Sequence, residues 1–597
     1  MMKRLVVLIT IVALGLAASA HQRAEASLAS IGYTMLGWLD RADILHHDLT
    51  ARIDPPRWSA KFSDDITFKS ARSRQLHILL GKDARLDRVT IPDSDEPVKF
   101  YRTIAIGALP FHIYKIDLPR APGDETFTLR FEWTIDSSTV QFINPFVDHN
   151  YFYIGYASIW YPHMPEESFF TADVTILSPQ GYLAFAEGTS VLESPADQYA
   201  GAARFASEDL EGWALHQYRT SVPVNGMGLG VGRFGNESMV VFDDYKVEVW
   251  RPRGVGSTAQ QVGLATARAV RFLAERLGAP PINEFRVVEV PFPWATSYAG
   301  LSNLVYGGDL SEARIEGRDG LALFAAHEAA HKWIGSTVGI RLIGGAWLSE
   351  GLAEYLGYLA LADAQGSEVA RDLFERRAYE PFTAGTPRRA IGAIEMFDDD
   401  APWMYTKSPL VFRMLHRRLG TERFFAAVRA FLDEHGGTHI AGRDFEATVV
   451  RHASASSLDQ SGSSEASVKA PQRGWSDPVA LQGVGGNLST FFNTWIRSNR
   501  SLDYELNVDV AVAVPEGGVA LSVSVRSIGA VTEPGDVDIA FTFPSGDSIR
   551  DALPLGEVRV YHFDGLPNEV RLDPDLWLAD SNPSNNTWRP TKTDQPH

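Results

Sequence analysis

The chain contains no cysteine among its 597 residues. Disulfides, thiolate zinc sites, a cysteine nucleophile and a lipidated N-terminal cysteine are therefore excluded. Positive charge is also scarce: 55 Lys and Arg face 74 Asp and Glu, a formal net charge of -19. That balance argues against nucleic acid or an anionic membrane surface as the main partner. Long apolar runs are missing after the first twenty residues, so no later stretch suits a bilayer crossing. The sequence also lacks a Gly-x-Ser-x-Gly elbow, a Gly-x-x-x-x-Gly-Lys phosphate loop and a dinucleotide fingerprint.

What is present begins with an export signal. Lys3 and Arg4 precede the apolar run Leu5 to Leu16, and Ala18-Ser19-Ala20 supplies a small-residue cleavage pattern. Residues 1–20 are expected to be a secretory signal peptide, with Ala24 and Ala26 as an alternative cut site. The expected location is secreted or periplasmic, without a stable transmembrane span after cleavage; left uncut, the run is a membrane anchor.

A chain of this length is too large for one core, and three or four domains are expected. Residues 27–250 alternate in the manner of strands, as in Thr126-Phe127-Thr128-Leu129-Arg130-Phe131, and are read as an N-terminal β-sheet domain. Near Thr258 the period changes. Thr258–Leu277, Leu321–Ile334, Leu348–Ala362, Pro409–Leu419, Glu422–Glu434 and Leu488–Arg497 carry helical patterns, with a buried strand at Phe285–Val290. Residues 251–500 are read as a catalytic domain, interrupted at 453–476 by a Ser- and Ala-rich flexible insertion. Alternation returns after Asp503, so 503–597 is expected to form a C-terminal β-sandwich. The fold class is multidomain α+β.

The chemistry concentrates in His327-Glu328-Ala329-Ala330-His331. Residues four apart share one helix face, so two imidazoles there can grip one zinc ion. A chance match in this composition is expected roughly 0.02–0.03 times, too often to decide alone. Catalytic zinc needs a third protein ligand. Glu350, eighteen intervening residues later, opens a second helical pattern that can return to the metal. Demanding a Glu at one fixed place lowers the chance expectation by about another factor of sixteen. One zinc per chain is expected on His327, His331 and Glu350. Glu328, one residue beyond His327, points beside the metal and is assigned the general base. Glu354, one helical turn after Glu350, can orient a ligand imidazole from behind or stand as a solvated charge.

His327-Glu328-Ala329-Ala330-His331-Lys332-Trp333, followed by Trp347-Leu348-Ser349-Glu350-Gly351-Leu352-Ala353-Glu354-Tyr355, resembles the gluzincin aminopeptidases of the membrane alanyl aminopeptidase and leukotriene hydrolase type. The resemblance covers the β domain and the catalytic domain. It implies a thermolysin-like α/β zinc catalytic domain and a peptide substrate. It also implies that Tyr405, in Met404-Tyr405-Thr406-Lys407, is the tyrosine that stabilises the oxyanion. The family's long helical C-terminal domain is replaced here by β pattern.

One departure matters. The family carries a Gly-x-Met-Glu-Asn segment whose glutamate binds the substrate's free amine. Here the stretch reads Ser297-Tyr298-Ala299-Gly300-Leu301-Ser302-Asn303-Leu304. One alignment keeps Gly300 and Asn303 as substrate-binding positions and puts Ser302 at the glutamate; another puts Ser297 there. No Glu lies between Val290 and Ser311. Three readings follow: a zinc aminopeptidase-like hydrolase, a zinc endopeptidase or hydrolase that needs no free N-terminus, and a non-catalytic binding protein on the same fold.

Overall fold

The computed structural model describes residues 42–591, apart from 70–72, 104–110, 124, 137–145, 156–157, 165–167, 196–210, 243–244, 253–258, 291–295, 300–302, 308–316, 386, 395–399, 456–474, 476–487 and 512–517. The expected signal peptide lies outside the described residues. Among them, no helix is long and apolar enough to cross a membrane.

The N-terminal part is β, as its alternation requires. An eight-stranded sheet is centred on Asp43–Asp54, which pairs antiparallel with Ser59–Lys69 and parallel with Thr171–Pro179. A three-stranded and a four-stranded sheet complete this region. Their inward residues, among them Phe62, Trp133, Trp160 and Ile176, form one buried cluster.

The next sheet sits beneath the site. Tyr245–Pro252, Glu284–Val290 and Asn303–Gly307 run parallel, with Phe234–Phe242 and Thr296–Ala299 antiparallel at its two edges. The hairpin of 234–252 was grouped with the N-terminal strands from its alternation. In the structure Lys246–Trp250 pairs with Glu284–Val288 instead, so a boundary at 250 cuts through a sheet.

Helices cover this sheet: α1 (Ala259–Leu277), α2 (Gly317–Ala330), α3 (Leu342–Gln365), α4 (Ser367–Phe374), α5 (Glu380–Thr383), α6 (Trp403–Leu419), α7 (Thr421–His435), α8 (Gly442–Ala455) and α9 (Leu488–Arg497). Two boundaries differ usefully from expectation. α2 ends at Ala330, so His331 begins the turn after it. α6 begins at Trp403, and Pro409 lies inside it. Proline in the seventh position was read as a helix start; here the first turn belongs to Trp403–Thr406, which brings Tyr405 into the helix.

α3 is the centre of the assembly. Leu352 to Ala362 are all buried, as an apolar helix with no polar face demands. Its close contacts run through glycines. A Cβ on Gly351 would collide with the Ser408 Cβ of α6, and one on Gly357 would stand 3.2 Å from the His327 backbone nitrogen of α2. The missing side chains let three helix backbones converge beside Glu350.

After Asp503 two sheets face each other. One holds Tyr504–Ala511, Val519–Ser527 and Val558–Phe563; the other holds Ser548–Leu553, Val537–Thr542, Glu569–Leu572 and Thr587–Trp588. Phe541 bridges them, with ring centroids 4.7 Å from Tyr561 and 5.0 Å from Phe563. The core of these sheets is continuous with that of the helices. Trp475, at the end of the stretch read as a flexible insertion, is buried in this core, so the insertion reading does not extend to it.

The glycine contact gives a test. Gly351→Ala gains about 1 kcal/mol of helix propensity. Overpacking against a facing helix costs about 1–3 kcal/mol, and the collision here is with a Cβ that cannot rotate away. A net loss in urea-denaturation stability is expected; a variant more stable than the parent would contradict this packing.

Candidate metal centre

α2, packed against α1 and α3, carries His327 near its C-terminal end, and the turn after it carries His331. The two Nε2 atoms stand 3.1 Å apart. Glu350 comes from the first half of α3, with Oε2 3.5 Å from His327 Nε2 and 3.7 Å from His331 Nε2. Ligands held tetrahedrally around zinc at 2.0–2.1 Å stand about 3.3 Å from one another, and the three separations bracket that figure. Among the described residues this is the one group of three or more such side chains whose ligand atoms converge, all within 4.8 Å.

The second nitrogen of each imidazole is tied outward. His327 Nδ1 donates to Glu354 Oε2 at 2.8 Å, and His331 Nδ1 donates to the Ile334 carbonyl at 3.0 Å. Assigning the protons to Nδ1 leaves both Nε2 lone pairs facing the common point. Glu354 was open between a solvated charge and a support for an imidazole. It is buried and bonded to His327.

The charges also fit a cation. Burial opposes ionisation of His327, but Glu350 and Glu354 outweigh it and raise its pKa well above the ordinary imidazole value. Burial likewise opposes ionisation of Glu350, but His331 and His327 hold it well below the carboxylate range. Glu328, also buried, adds negative charge near both histidines. Three carboxylates around two imidazoles make a negative pocket whose charge a divalent ion offsets in large part. Donor types, spacing and charge all suit zinc.

Tyr405, in the first turn of α6, completes the group. The residue is 38% exposed, while its hydroxyl turns inward and donates to Glu350 Oε2 at 2.8 Å. Burial, and then the Glu350 charge, raise its pKa, so it keeps its proton. Tyr405 is thus an exposed donor at the rim of an otherwise buried cluster.

The expected substrate-binding stretch divides. Gly300 and Ser302 lie outside the described residues. Asn303 is buried, and its amide faces the protein: Nδ2 donates to the Ala186 carbonyl at 2.9 Å and Oδ1 accepts Arg286 Nη1 at 2.8 Å. The side-chain amide of the expected substrate-binding position 303 is thus engaged within the fold; a buried amide needs these partners.

The same seam contains a residue the pattern did not single out. Lys332, directly after His331, is buried and donates to the Asn303 carbonyl at 3.0 Å. Burial pushes its pKa down to about 7, against the pull of Glu187 and Glu328. Arg286 also donates to the Ala186 and Gly188 carbonyls, at 3.2 and 3.1 Å. Together Arg286, Asn303 and Lys332 join the N-terminal strands, the parallel sheet and the metal-ligand turn. The visible signal was a lysine between His331 and Trp333 in an otherwise apolar segment.

Comparison with known proteins agrees with this geometry. Residues 302–463 match the family model described as the peptidase family M1 domain. Endoplasmic reticulum aminopeptidase 1 of Homo sapiens is 24% identical over 161 residues, covering 25% of this chain and 17% of that protein. Aminopeptidase N of Lactococcus lactis subsp. lactis is 28% identical over 143 residues, covering 21% and 16%. The matches span less than a fifth of either relative's length. Among solved structures, the M1 zinc metallopeptidase of Deinococcus radiodurans in complex with a Tyr-Ser-Ala substrate superposes with a TM-score of 0.57 at 18% identity, over 77% of this chain and 95% of that one. Aminopeptidase A of Legionella pneumophila in complex with aspartic acid gives a TM-score of 0.63 at 15% identity, over 90% of this chain and 59% of that one. At such identities the structural likeness speaks to the fold. Residues 302–463 are thus similar to the peptidase family M1 domain, and the fold around them is similar to that of solved M1 zinc metallopeptidases.

Proposed function

We propose that this protein is a zinc-dependent peptide hydrolase with aminopeptidase-like chemistry. The observation that carries the reading is the convergence of His327, His331 and Glu350 within 4.8 Å, with Glu328 and Tyr405 beside them. One zinc ion per chain is assigned to these ligands. Zinc held there would lower the pKa of a bound water to about 7 and polarise a carbonyl.

The chain's own groups supply the rest. Glu328 accepts the proton released as water attacks the peptide carbonyl, then delivers it to the departing amine. The Tyr405 hydroxyl, kept protonated, donates a hydrogen bond to the carbonyl oxygen as negative charge grows on it. Glu354 keeps His327 in the tautomer that presents Nε2. Lys3 to Ala20 support export, which would put the substrate outside the cytoplasm.

A second reading concerns which peptide bond is cut. No Glu lies between Val290 and Ser311, and the Asn303 amide is engaged within the fold. A substrate ammonium group therefore lacks the carboxylate that the family motif provides. That favours tolerance of blocked or internal bonds.

Three measurements check these assignments. Glu328→Gln should lower kcat by about 10²–10⁴-fold while zinc content stays at the parent level; unchanged turnover would sink the base assignment. Glu354→Ala should weaken zinc binding about 10–100-fold in a chelator competition, with the fold intact. An amino-acid arylamide compared with its amine-blocked form, with and without chelator, separates the two modes. Hydrolysis of the free amine alone marks an aminopeptidase. Equal hydrolysis of both marks the second reading. No hydrolysis of any peptide by the zinc-loaded protein would leave only a binding role.

A further inference from the structure

α6 carries Tyr405 in its first turn, and its other half is gripped by Trp475 and by loops and one strand of the C-terminal β region. Arg413 is fully buried. Its guanidinium lies between two rings, 3.9 Å from the Trp475 centroid and 3.7 Å from that of Trp577. Nε donates to the Leu576 carbonyl at 2.8 Å, and Nη2 donates to the carbonyls of Asp575 at 2.6 Å and Trp475 at 3.2 Å. One turn on, Arg417 donates to the Asp536 carbonyl at 2.9 Å and to Asp538 at 3.1 Å. Arg418 donates twice to Glu533 Oε2, at 2.8 and 2.5 Å, while Glu533 Oε1 accepts Trp495 Nε1 at 2.6 Å.

The receptacle for Arg413 is built for the purpose. The segment after Glu569–Leu572 holds two non-glycine residues in the left-handed region, Asp573 at φ 46° and Leu576 at φ 57°. Such conformations persist only where surrounding contacts enforce them. The Asp573 carboxylate does so by accepting the backbone N–H groups of Trp577 at 2.9 Å and Leu578 at 2.7 Å. The result is a tight loop that points the Asp575 and Leu576 carbonyls at one guanidinium.

A buried guanidinium is poor material for stability alone, because well-packed apolar side chains often do as well without the desolvation cost. What its planar fork offers is a fixed direction. That direction bears on the metal centre from two sides. Arg413 is eight residues from Tyr405, about 12 Å along one helix. His416, in the next turn, stands 2.8 Å by Nδ1 from the hydroxyl of Tyr355, which follows Glu354 on α3.

We propose that the C-terminal β region forms a clamp that sets the position of α6, and that Arg413 is the positioning residue through which it holds Tyr405 over Glu350. The proposal rests on the reading of Tyr405 as the donor to the developing oxyanion, and its test keeps the two separable.

The test is a double-mutant cycle on the zinc-loaded, full-length protein with a peptide arylamide, together with hydrogen exchange. Tyr405→Phe should lower kcat about 10²–10³-fold with KM little changed. Arg413→Met should lower kcat by about tenfold or more, with zinc content and KM retained. In the Tyr405→Phe background it should cost less than about twofold, because the residue it positions is already disabled. Equal losses in both backgrounds, or no loss, overturn the clamp; a merely structural role predicts the former. Full kcat in Tyr405→Phe overturns the tyrosine reading instead. Hydrogen exchange reads the clamp without reference to activity. Amides 403–410 should exchange about tenfold faster in Arg413→Lys, which keeps the charge and loses the fork, while amides 321–330 do not. Unchanged exchange at 403–410 overturns the proposal, and this milder variant serves where Arg413→Met does not fold.

Discussion

The metal centre depends on one steric constraint: three helices must meet more closely than side chains normally allow. Gly351 and Gly357 of α3 make that possible, one against Ser408 of α6 and the other against the backbone of His327 on α2. Glu350 precedes the first of these glycines, and Glu354 lies between them. The spacing of the metal ligands is therefore inherited from helix packing. Interiors packed at crystal-like density do not stretch, so the ligand distances are as rigid as the helix contacts.

The second constraint is electrostatic. Glu328, Glu350 and Glu354 are buried together, a costly arrangement unless charge is compensated. His327 and His331 compensate part of it, and their outward Nδ1 bonds leave both Nε2 atoms facing one common point. Tyr405 contributes no charge. It is the one member of the group that is substantially exposed, and so the one placed to meet a substrate first.

The parts legible in the sequence are those governed by local periodicity. The four-residue spacing of His327 and His331 brings both imidazoles to one side although α2 ends at Ala330, and Glu350 lies on a helical pattern, although α3 begins at Leu342 rather than at the expected Leu348. Leu488–Arg497 was read correctly because its apolar positions and its ends are unambiguous. What depends on distant pairing was not legible. The hairpin of 234–252 has ordinary alternation, and nothing local says that it joins Glu284–Val290. Pro409 suggested a helix start, yet α6 tolerates it seven positions in. Arg413, Arg417 and Arg418 look like cations gathered toward a helix C-terminus, where solvated basic residues are favoured. All three are buried, because loops of the C-terminal β region more than a hundred residues away cover them. Asn303 resembled a substrate contact by motif position; burial turned its amide inward.

The hydrophobic cluster that holds the metal ligands does not stop at the helices. It runs from Ala329 and Leu348 through Phe412 and Trp495 into Leu521, Phe541 and Leu578. A core without a break has no internal line along which to melt. The metal-ligand candidates and strands some two hundred residues later therefore rest on one apolar core, and an ion bound at His327 would stabilise whatever depends on that core by mass action. In a chain with no cysteine, that shared core does the joining of distant segments that a crosslink does elsewhere.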